Sequence, residues 1–315
     1  MQAVRFQDKQ VVLRDAPEPS GDGVLVKVRA CGICGSDVAI LDSGFPISGI
    51  PGHEISGELA DGTPVAIEPF DPCGACRYCL AGDHQVCVRG NEMIYGVGRD
   101  GGMAERVIVP ARSIVALPRN LDATTGCLVE PLAVAVHGVR RTRVDGTTRV
   151  LVIGGGSIGQ CAVAAAVATG ARVDLVARHA AQVEAGRLLG AEVVESGAGG
   201  DYDVVFDCAG TPGAIESACD ALRPRGALVM LASSWGALEL PGFVVAAKEL
   251  DFLVSTMYGQ TSTTRDVDAA ARILGEREEI AQALISHRYP LAQAPEAFLA
   301  SRDRKGGAIK VVLEP

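Results

Sequence analysis

The chain has 315 residues, enough for about two domains, and its 48% hydrophobic and 21% charged residues exclude a disordered polymer. A net charge of −9 speaks against nucleic acid or an anionic membrane surface as the main partner, because both reward a basic face. The opening MQAVRFQDKQ lacks the apolar stretch of a secretory signal, and the longest apolar run, CAVAAAVA at 161–168, is far too short to span a bilayer. The expectation is a cytoplasmic protein in a reducing compartment, where ten cysteines serve as metal ligands and buried thiols rather than as a disulfide framework.

The first third reads as strands broken by Gly/Pro turns, as in GDGVLVKVRA at 21–30 and GGMAERVIVPARSIVALP at 101–118. Within it lie CGICGSD at 31–37 and PGHE at 51–54, followed much later by CLVEPLA at 127–133. Cys34, His53, Glu54 and Glu130 together offer one thiolate, one imidazole and two carboxylates. Three protein ligands plus a water is the pattern of catalytic zinc, which keeps an open position. Each fragment alone is weak, since a single Cys is usually a buried small hydrophobe. Cys31 reads as such a core thiol.

Residues 73–87, CGACRYCLAGDHQVC, are different in kind. Cys73, Cys76, Cys79 and Cys87 follow C-x2-C-x2-C-x7-C, with Gly74, Gly82 and Asp83 supplying turns. Cysteines so spaced can aim their sulfurs at one centre about 2.3 Å away, and four thiolates suit tetrahedral zinc. A shell of four leaves no position for a substrate, so this zinc would be structural, its binding energy becoming folding energy. Two local disulfides, unrelated free thiols and an iron–sulfur cluster are the alternatives.

From residue 149 the texture changes. RVLVIGGGSIGQCAVAAAVATGA gives a strand, a glycine turn and an Ala/Val-rich helix, with Gly154, Gly156 and Gly159 in the G-x-G-x-x-G pattern and Ser157 and Ile158 between. Such a turn lets backbone approach a pyrophosphate at a helix N-terminus. Strand and helix then alternate at 172–176, 180–189, 203–208, 212–222, 227–232 and 251–257, predicting a doubly wound parallel sheet. ESGAGGD at 195–201 reads as a loop. At the end of the second strand, where an acid would bind the ribose of NAD, stand Ala177, Arg178 and His179. A small residue followed by a guanidinium suits a 2′-phosphate, so NADP is expected over NAD. Asp174 lies three residues too early and on the opposite pleat. Loops near Thr211, Ser233–Trp235 and Met257–Tyr258 are expected to line a cleft between domains, with Phe45, Ile94 and Tyr95 as apolar walls.

CGICGSD, PGHEISG, the four-cysteine segment, GGMAERVIVP and EPLAVAVHGV, in this order and down to the closing AIKVVLEP, resemble the zinc-dependent medium-chain dehydrogenase/reductases over nearly the whole chain. The resemblance implies an α/β protein: a GroES-like β-barrel catalytic domain from 1–131 and 263–315, and a doubly wound Rossmann cofactor domain from 132–262. It implies catalytic zinc on Cys34 and His53. It also implies that Glu130 of EPLA, a hallmark of the polyol-dehydrogenase-like branch, stands where the more familiar alcohol dehydrogenases carry a third cysteine. Glu54 matches the family's HE glutamate, which binds the metal or sits just behind it, and the two glutamates are expected to alternate as ligands. Ser36, two residues after Cys34, is placed to hydrogen-bond a metal-bound alcohol, and Asp37 to fix the tautomer of His53. Two departures stand out: Ala39 occupies the place of a relay histidine, and only ISGELADG separates PGHE from TPVAIEP, shortening a hairpin. The implied activity is hydride transfer between NADP(H), or alternatively NAD(H), and a secondary alcohol or ketone such as a polyol, sugar or cyclic alcohol, with two zinc ions per chain in a homodimer or homotetramer. The competing expectations are a zinc-independent quinone or enoyl reductase of the same fold, and a non-catalytic protein that binds zinc and dinucleotide.

Overall fold

The computed structural model describes the chain apart from residues 48, 196–198, 234–235 and 262. Backbone contacts divide it into two compact units. The first comprises Met1–Glu130, Tyr258–Ala281 and Ile285–Pro315; the second comprises Pro131–Met257 with Gln282–Leu284.

The first unit opens with an antiparallel hairpin of β1 (Gln2–Gln7) and β2 (Gln10–Asp15). Asp8 and Lys9 turn it at φ of 49° and 60°, the left-handed pair that suits the twist of a two-residue hairpin. Next come β3 (Val24–Gly32), α1 (Gly35–Ser43), β4 (Glu54–Glu58), β5 (Pro64–Ile67), the short α2 (Arg77–Leu80), β6 (Arg106–Val109) and β7 (Ile114–Ala116). In β3 the period of two is plain: Val26, Val28 and Ala30 are buried while Leu25 and Lys27 face outward. The abbreviated hairpin between β4 and β5 closes on itself. Leu59 N–H donates to Thr63 O and Asp61 Oδ1 accepts from Thr63 N–H, so the missing residues leave no unpaired ends.

The chain leaves this unit within α3 (Val129–Thr142) and builds the second from β8 (Arg149–Ile153), α4 (Ser157–Val167), β9 (Arg172–Val176), α5 (Ala180–Leu188), β10 (Glu192–Val193), β11 (Tyr202–Asp207), α6 (Pro212–Ala221), β12 (Leu222–Met230), α7 (Gly242–Lys248) and β13 (Asp251–Val254). All six strands are parallel in the order β10-β9-β8-β11-β12-β13, the doubly wound arrangement whose direction reverses between β8 and β11. Strands covered on both faces need apolar runs, and β8 is buried from Val150 through Ile153. β12 begins at Leu222, five residues before the expected start, with Arg225 at a φ of 61° and a register shift against β11.

The closing elements are α8 (Asp266–Glu276), α9 (Glu279–Leu284), β14 (Ile285–Pro290), α10 (Ala294–Arg302) and β15 (Lys310–Glu314). The last two strands join the N-terminal ones in a seven-stranded sheet. Its order is β14-β15-β3-β4-β5-β7, with β6 also on β3. The core of this unit gathers Val26, Val28, Ile55, Val65, Ile67, Val107, Val109, Val311 and Leu313 with Phe298 of α10, whose ring meets Phe6 edge-on at 5.5 Å. Each such fully buried aliphatic side chain contributes about 1.5–3 kcal/mol. Among the described residues no helix is long and apolar enough to cross a membrane.

Candidate active site and metal centres

β3 ends at Gly32, and two residues later Cys34 caps α1 in an extended conformation. Asp37, three residues on, turns back so that its Oδ2 accepts from the Cys34 amide at 2.9 Å. Its Oδ1 lies 3.5 Å from His53 Nδ1. The same carboxylate thus fastens the helix start and faces the imidazole. Ser36 Oγ is 3.4 Å from His53 Nε2. Cys34, His53 and Glu54 each place a ligand atom within 4.8 Å of the others. Glu54 Oε2 is buried without a hydrogen-bond partner, as befits a carboxylate oxygen that faces a cation. Burial would lower the His53 pKa, but the neighbouring Asp37 and Cys34 outweigh it and hold the imidazole well above its ordinary value. A buried pocket that draws a proton onto its imidazole in this way is electrostatically built for positive charge, and its sulfur, nitrogen and oxygen donors fit zinc.

Glu130, in the first turn of α3, lies outside that set of three. It is buried, and desolvation pushes its carboxyl up to about 7 against the pull of His53, with Glu54 adding to the rise.

In the four-cysteine segment, Cys76 caps α2 and Cys79 sits within it, while Cys73 and Cys87 flank it. The Cys76 and Cys79 sulfurs are 3.4 Å apart and those of Cys73 and Cys79 3.9 Å. Tetrahedral sulfurs on zinc stand about 3.8 Å apart, whereas a disulfide needs about 2.05 Å. None of the ten cysteines is joined in a disulfide, which disposes of local disulfides. Backbone N–H groups of Val88 and Cys79 bring Cys76 down to about 6, while burial sends Cys79 up to about 12. Four thiolates this close cannot all ionise without a cation among them.

In the second unit β8 runs into Gly154, whose φ of +109° only glycine adopts readily. Gly156 caps α4, and a Cβ on Gly159 would come within 1.7 Å of Gly154 O. Gly155 packs as tightly, a Cβ there meeting that of Ala177 at 2.8 Å. Gln160 fastens the turn from below, donating to Gly155 O and Gln182 O. Ser157 Oγ, at the helix N-terminus, is buried without a partner, and Ile158 beside it is half-buried. Across the switch point, Asp207 at the end of β11 accepts from the Ala209 and Gly210 amides. Ala177 is half-buried, Arg178 is exposed and His179 caps α5. Asp174 is engaged elsewhere, accepting from the Tyr202 hydroxyl at 2.5 Å with Arg149 at 3.6 Å.

Residues 20–119 match the alcohol dehydrogenase GroES-like domain, and residues 157–273 match the zinc-binding dehydrogenase domain. A 2-dehydro-3-deoxy-L-galactonate 5-dehydrogenase of Pseudoalteromonas atlantica is 31% identical over 331 residues, which cover 96% of this chain and 95% of its own. The chain belongs to the zinc-binding alcohol dehydrogenase family. An L-galactonate-5-dehydrogenase of Escherichia coli is 30% identical over 322 residues, covering 93% of this dehydrogenase and 92% of the relative. A Sinorhizobium meliloti structure described as a zinc-binding dehydrogenase bound to NADP is 30% identical, with a TM-score of 0.87 and coverage of 100% and 99%. This dehydrogenase is accordingly an α/β zinc enzyme that uses a nicotinamide cofactor to interconvert a secondary alcohol and its ketone.

Other expected residues of the dehydrogenase have mixed placements. Thr211 is an exposed helix cap whose Oγ1 accepts from Ala214 N–H, a duty that the Thr-Pro start of α6 signals in the sequence. Ser233 is exposed, and Trp235 falls outside the described residues. Met257 has a φ of 53°, and the Tyr258 hydroxyl is buried without a partner. Phe45 is half-exposed and Ile94 half-buried, while Tyr95 belongs to the core of the first unit. Two residues beside the candidate metal site carry no role in the sequence reading. Lys310 Nζ donates to Glu54 Oε1 at 2.5 Å, and Gly32 leaves the space that Glu54 Oε2 fills. A lysine inside the apolar strand KVVLE was the available signal.

Proposed function

We propose that this dehydrogenase carries two zinc ions per chain. The catalytic one is held by Cys34, His53 and Glu54, with Glu130 as the carboxylate that alternates with Glu54. The structural one is held by Cys73, Cys76, Cys79 and Cys87. The observation that carries this reading is the meeting of ligand atoms of Cys34, His53 and Glu54 within 4.8 Å of one another, with Glu54 Oε2 buried and unpartnered, beside a separate set of four thiols. When bound, zinc supplies the Lewis acidity that acidifies an alcohol, and the nicotinamide accepts or returns the hydride. The chain's own residues do the rest. Asp37 fixes His53 in one orientation through Nδ1. Ser36, beside His53, would take up the alcohol proton; Ala39 provides no imidazole to carry it on, so the ribose of a bound cofactor and water would be its way out. Gly154, Gly156, Ser157, Ile158 and Gly159 receive the pyrophosphate at the start of α4. Exposed Arg178, with Ala177 and His179, grips a 2′-phosphate, so the cofactor is NADP rather than NAD; Thr211 and Ser233 border the same site.

The substrate is a secondary alcohol of a polyol or sugar acid, as the names of the two relatives suggest. The working assembly is a homodimer or homotetramer, and the catalytic part of the chain is 1–131 with 263–315 around a cofactor part at 132–262.

Metal analysis with paired variants tests the assignment. The native protein is expected to hold two zinc ions per chain. Cys34→Ser should keep its fold and one zinc while losing turnover. Cys76→Ser should lose the other zinc and thermal stability. Full alcohol oxidation by Cys34→Ser would refute the catalytic assignment.

A further inference from the structure

Three adjacent strands bring Lys310, Gly32 and Glu54 together. In the antiparallel registers, Gly32 on β3 stands opposite Glu54 on β4 on one side and Val312 on β15 on the other. Directly opposed residues share a face, as do residues two apart along a strand, so Lys310 lies on the face of Gly32 and Glu54. A side chain on the middle strand would fill the gap between the two charged groups: a Cβ on Gly32 would approach Glu54 Oε2 to 1.9 Å. Across this gap Lys310 Nζ donates to Glu54 Oε1 at 2.5 Å and to Ile33 O at 3.2 Å. The two side chains are 2% and 1% exposed.

Nothing in sheet formation calls for this arrangement. Lysine is almost never fully buried, and an apolar pair of similar volume would serve the sheet as well as or better than a buried ion pair. What the pair does change is the carboxylate. Lys310 occupies Oε1, whereas Oε2 is buried with no hydrogen-bond partner, and an oxygen of Glu54 lies within 4.8 Å of ligand atoms on Cys34 and His53.

We propose that Lys310 is a positioning residue of the metal centre, holding Oε1 so that Glu54 meets the metal through Oε2 alone, with Gly32 as the space that permits the reach. The inference rests on the assignment of Cys34, His53 and Glu54 as ligands. A carboxylate free at both oxygens can chelate a metal with both. One tied at Oε1 donates a single bond from a fixed direction and leaves a coordination position for the substrate oxygen.

The test uses the full-length protein with the catalytic zinc exchanged for cobalt(II), whose visible bands weaken as coordination number rises. Metal affinity is read by chelator competition and folding by circular dichroism. Lys310→Met should weaken catalytic-site affinity about 10–100-fold, the usual effect of removing a group that orients a ligand, and should dim the cobalt bands. The zinc of the Cys73–Cys87 lobe should be unaffected. Lys310→Arg should restore most of both signals, and Gly32→Ala should mimic Lys310→Met by displacing the carboxylate. In a Glu54→Gln background Lys310→Met should have no further effect, which a merely structural lysine would not obey. If Lys310→Met alone does not fold, the Glu54→Gln/Lys310→Met protein, which buries no unpaired charge, is compared with Glu54→Gln. Wild-type affinity and spectrum in Lys310→Met, or an undiminished lysine effect in the Glu54→Gln background, overturns the proposal. Cys34→Ser separates the two levels: if it empties the site while Lys310→Met behaves as wild type, only the lysine inference falls. If Cys34→Ser leaves the site filled, the ligand assignment falls and takes the lysine inference with it.

Discussion

Ser36 and Ala39 lie three residues apart on α1, hence on neighbouring positions of one helix face. A histidine at 39 would continue a proton path from Ser36, and alanine cannot. The serine hydroxyl, 3.4 Å from His53 Nε2, then carries the proposed proton path without a histidine behind it. General acid–base groups contribute about 10²–10⁴ in rate, so Ser36→Ala should lower kcat about 100-fold or more. Its zinc content should stay at the native level, because the hydroxyl is not a ligand. Metal analysis alongside steady-state kinetics checks both halves. A variant that loses zinc together with activity would make Ser36 part of the metal's support rather than of the proton path.

Elements show how unevenly the sequence exposes its own design. The four-cysteine lobe, the glycine turn and the alternating strands and helices of the second unit were legible because each is written in consecutive residues at a fixed spacing. Gly154 and Gly159 show this well: one opens the turn after a strand and the other sits in the first turn of the helix, where a Cβ would meet Gly154 O. Lys310 was only half legible: a lysine inside an apolar strand is a signal, but its partner Glu54 is 256 residues away and two strands across, and nothing local names it. Tyr95 misled for a related reason. An aromatic beside a glycine-rich loop suits a pocket wall, but packing drew it into the core of the first unit. The loop joining β9 to α5 carries the proposed preference for NADP. Asp174 is occupied by Tyr202 and Arg149, and Ala177 and Arg178 stand where the ribose acid of an NAD enzyme belongs. kcat/KM should therefore be at least about tenfold higher with NADP than with NAD. Arg178→Ala should remove most of that preference, since a charge-assisted hydrogen bond is worth about 1.5–3 kcal/mol. A native enzyme faster with NAD would refute the assignment.

At the scale of the whole molecule, the first unit must be closed by a chain that leaves it at Glu130 and re-enters at Tyr258. Arg265, just before α8, fastens the re-entering segment to the N-terminal sheet. It binds Glu68 Oε2 at 2.9 Å, donates to the carbonyls of Arg112 and Ile114, and also pairs with Asp268. This clamp has a pH-dependent partner. Burial raises the Glu68 carboxyl from its ordinary 4.5 to about 7, more than Arg265 lowers it. Below pH 4.5 the folded and unfolded chains both hold this proton, and its stabilising contribution is complete. Between 4.5 and 7 the unfolded chain releases the proton while the folded one keeps it, so stability falls as pH rises, and above 7 the loss is full. A tenfold difference in proton affinity is worth about 1.4 kcal/mol, which makes the change attributable to Glu68 between pH 5 and pH 8 about 2 kcal/mol. Glu68→Gln keeps a hydrogen-bond acceptor for Arg265 but cannot titrate. Urea unfolding of the two proteins at both pH values should therefore show the native protein losing about 2 kcal/mol relative to the variant as pH rises. Parallel profiles would mean that Glu68 is ionised throughout and that the guanidinium, rather than burial, sets its charge.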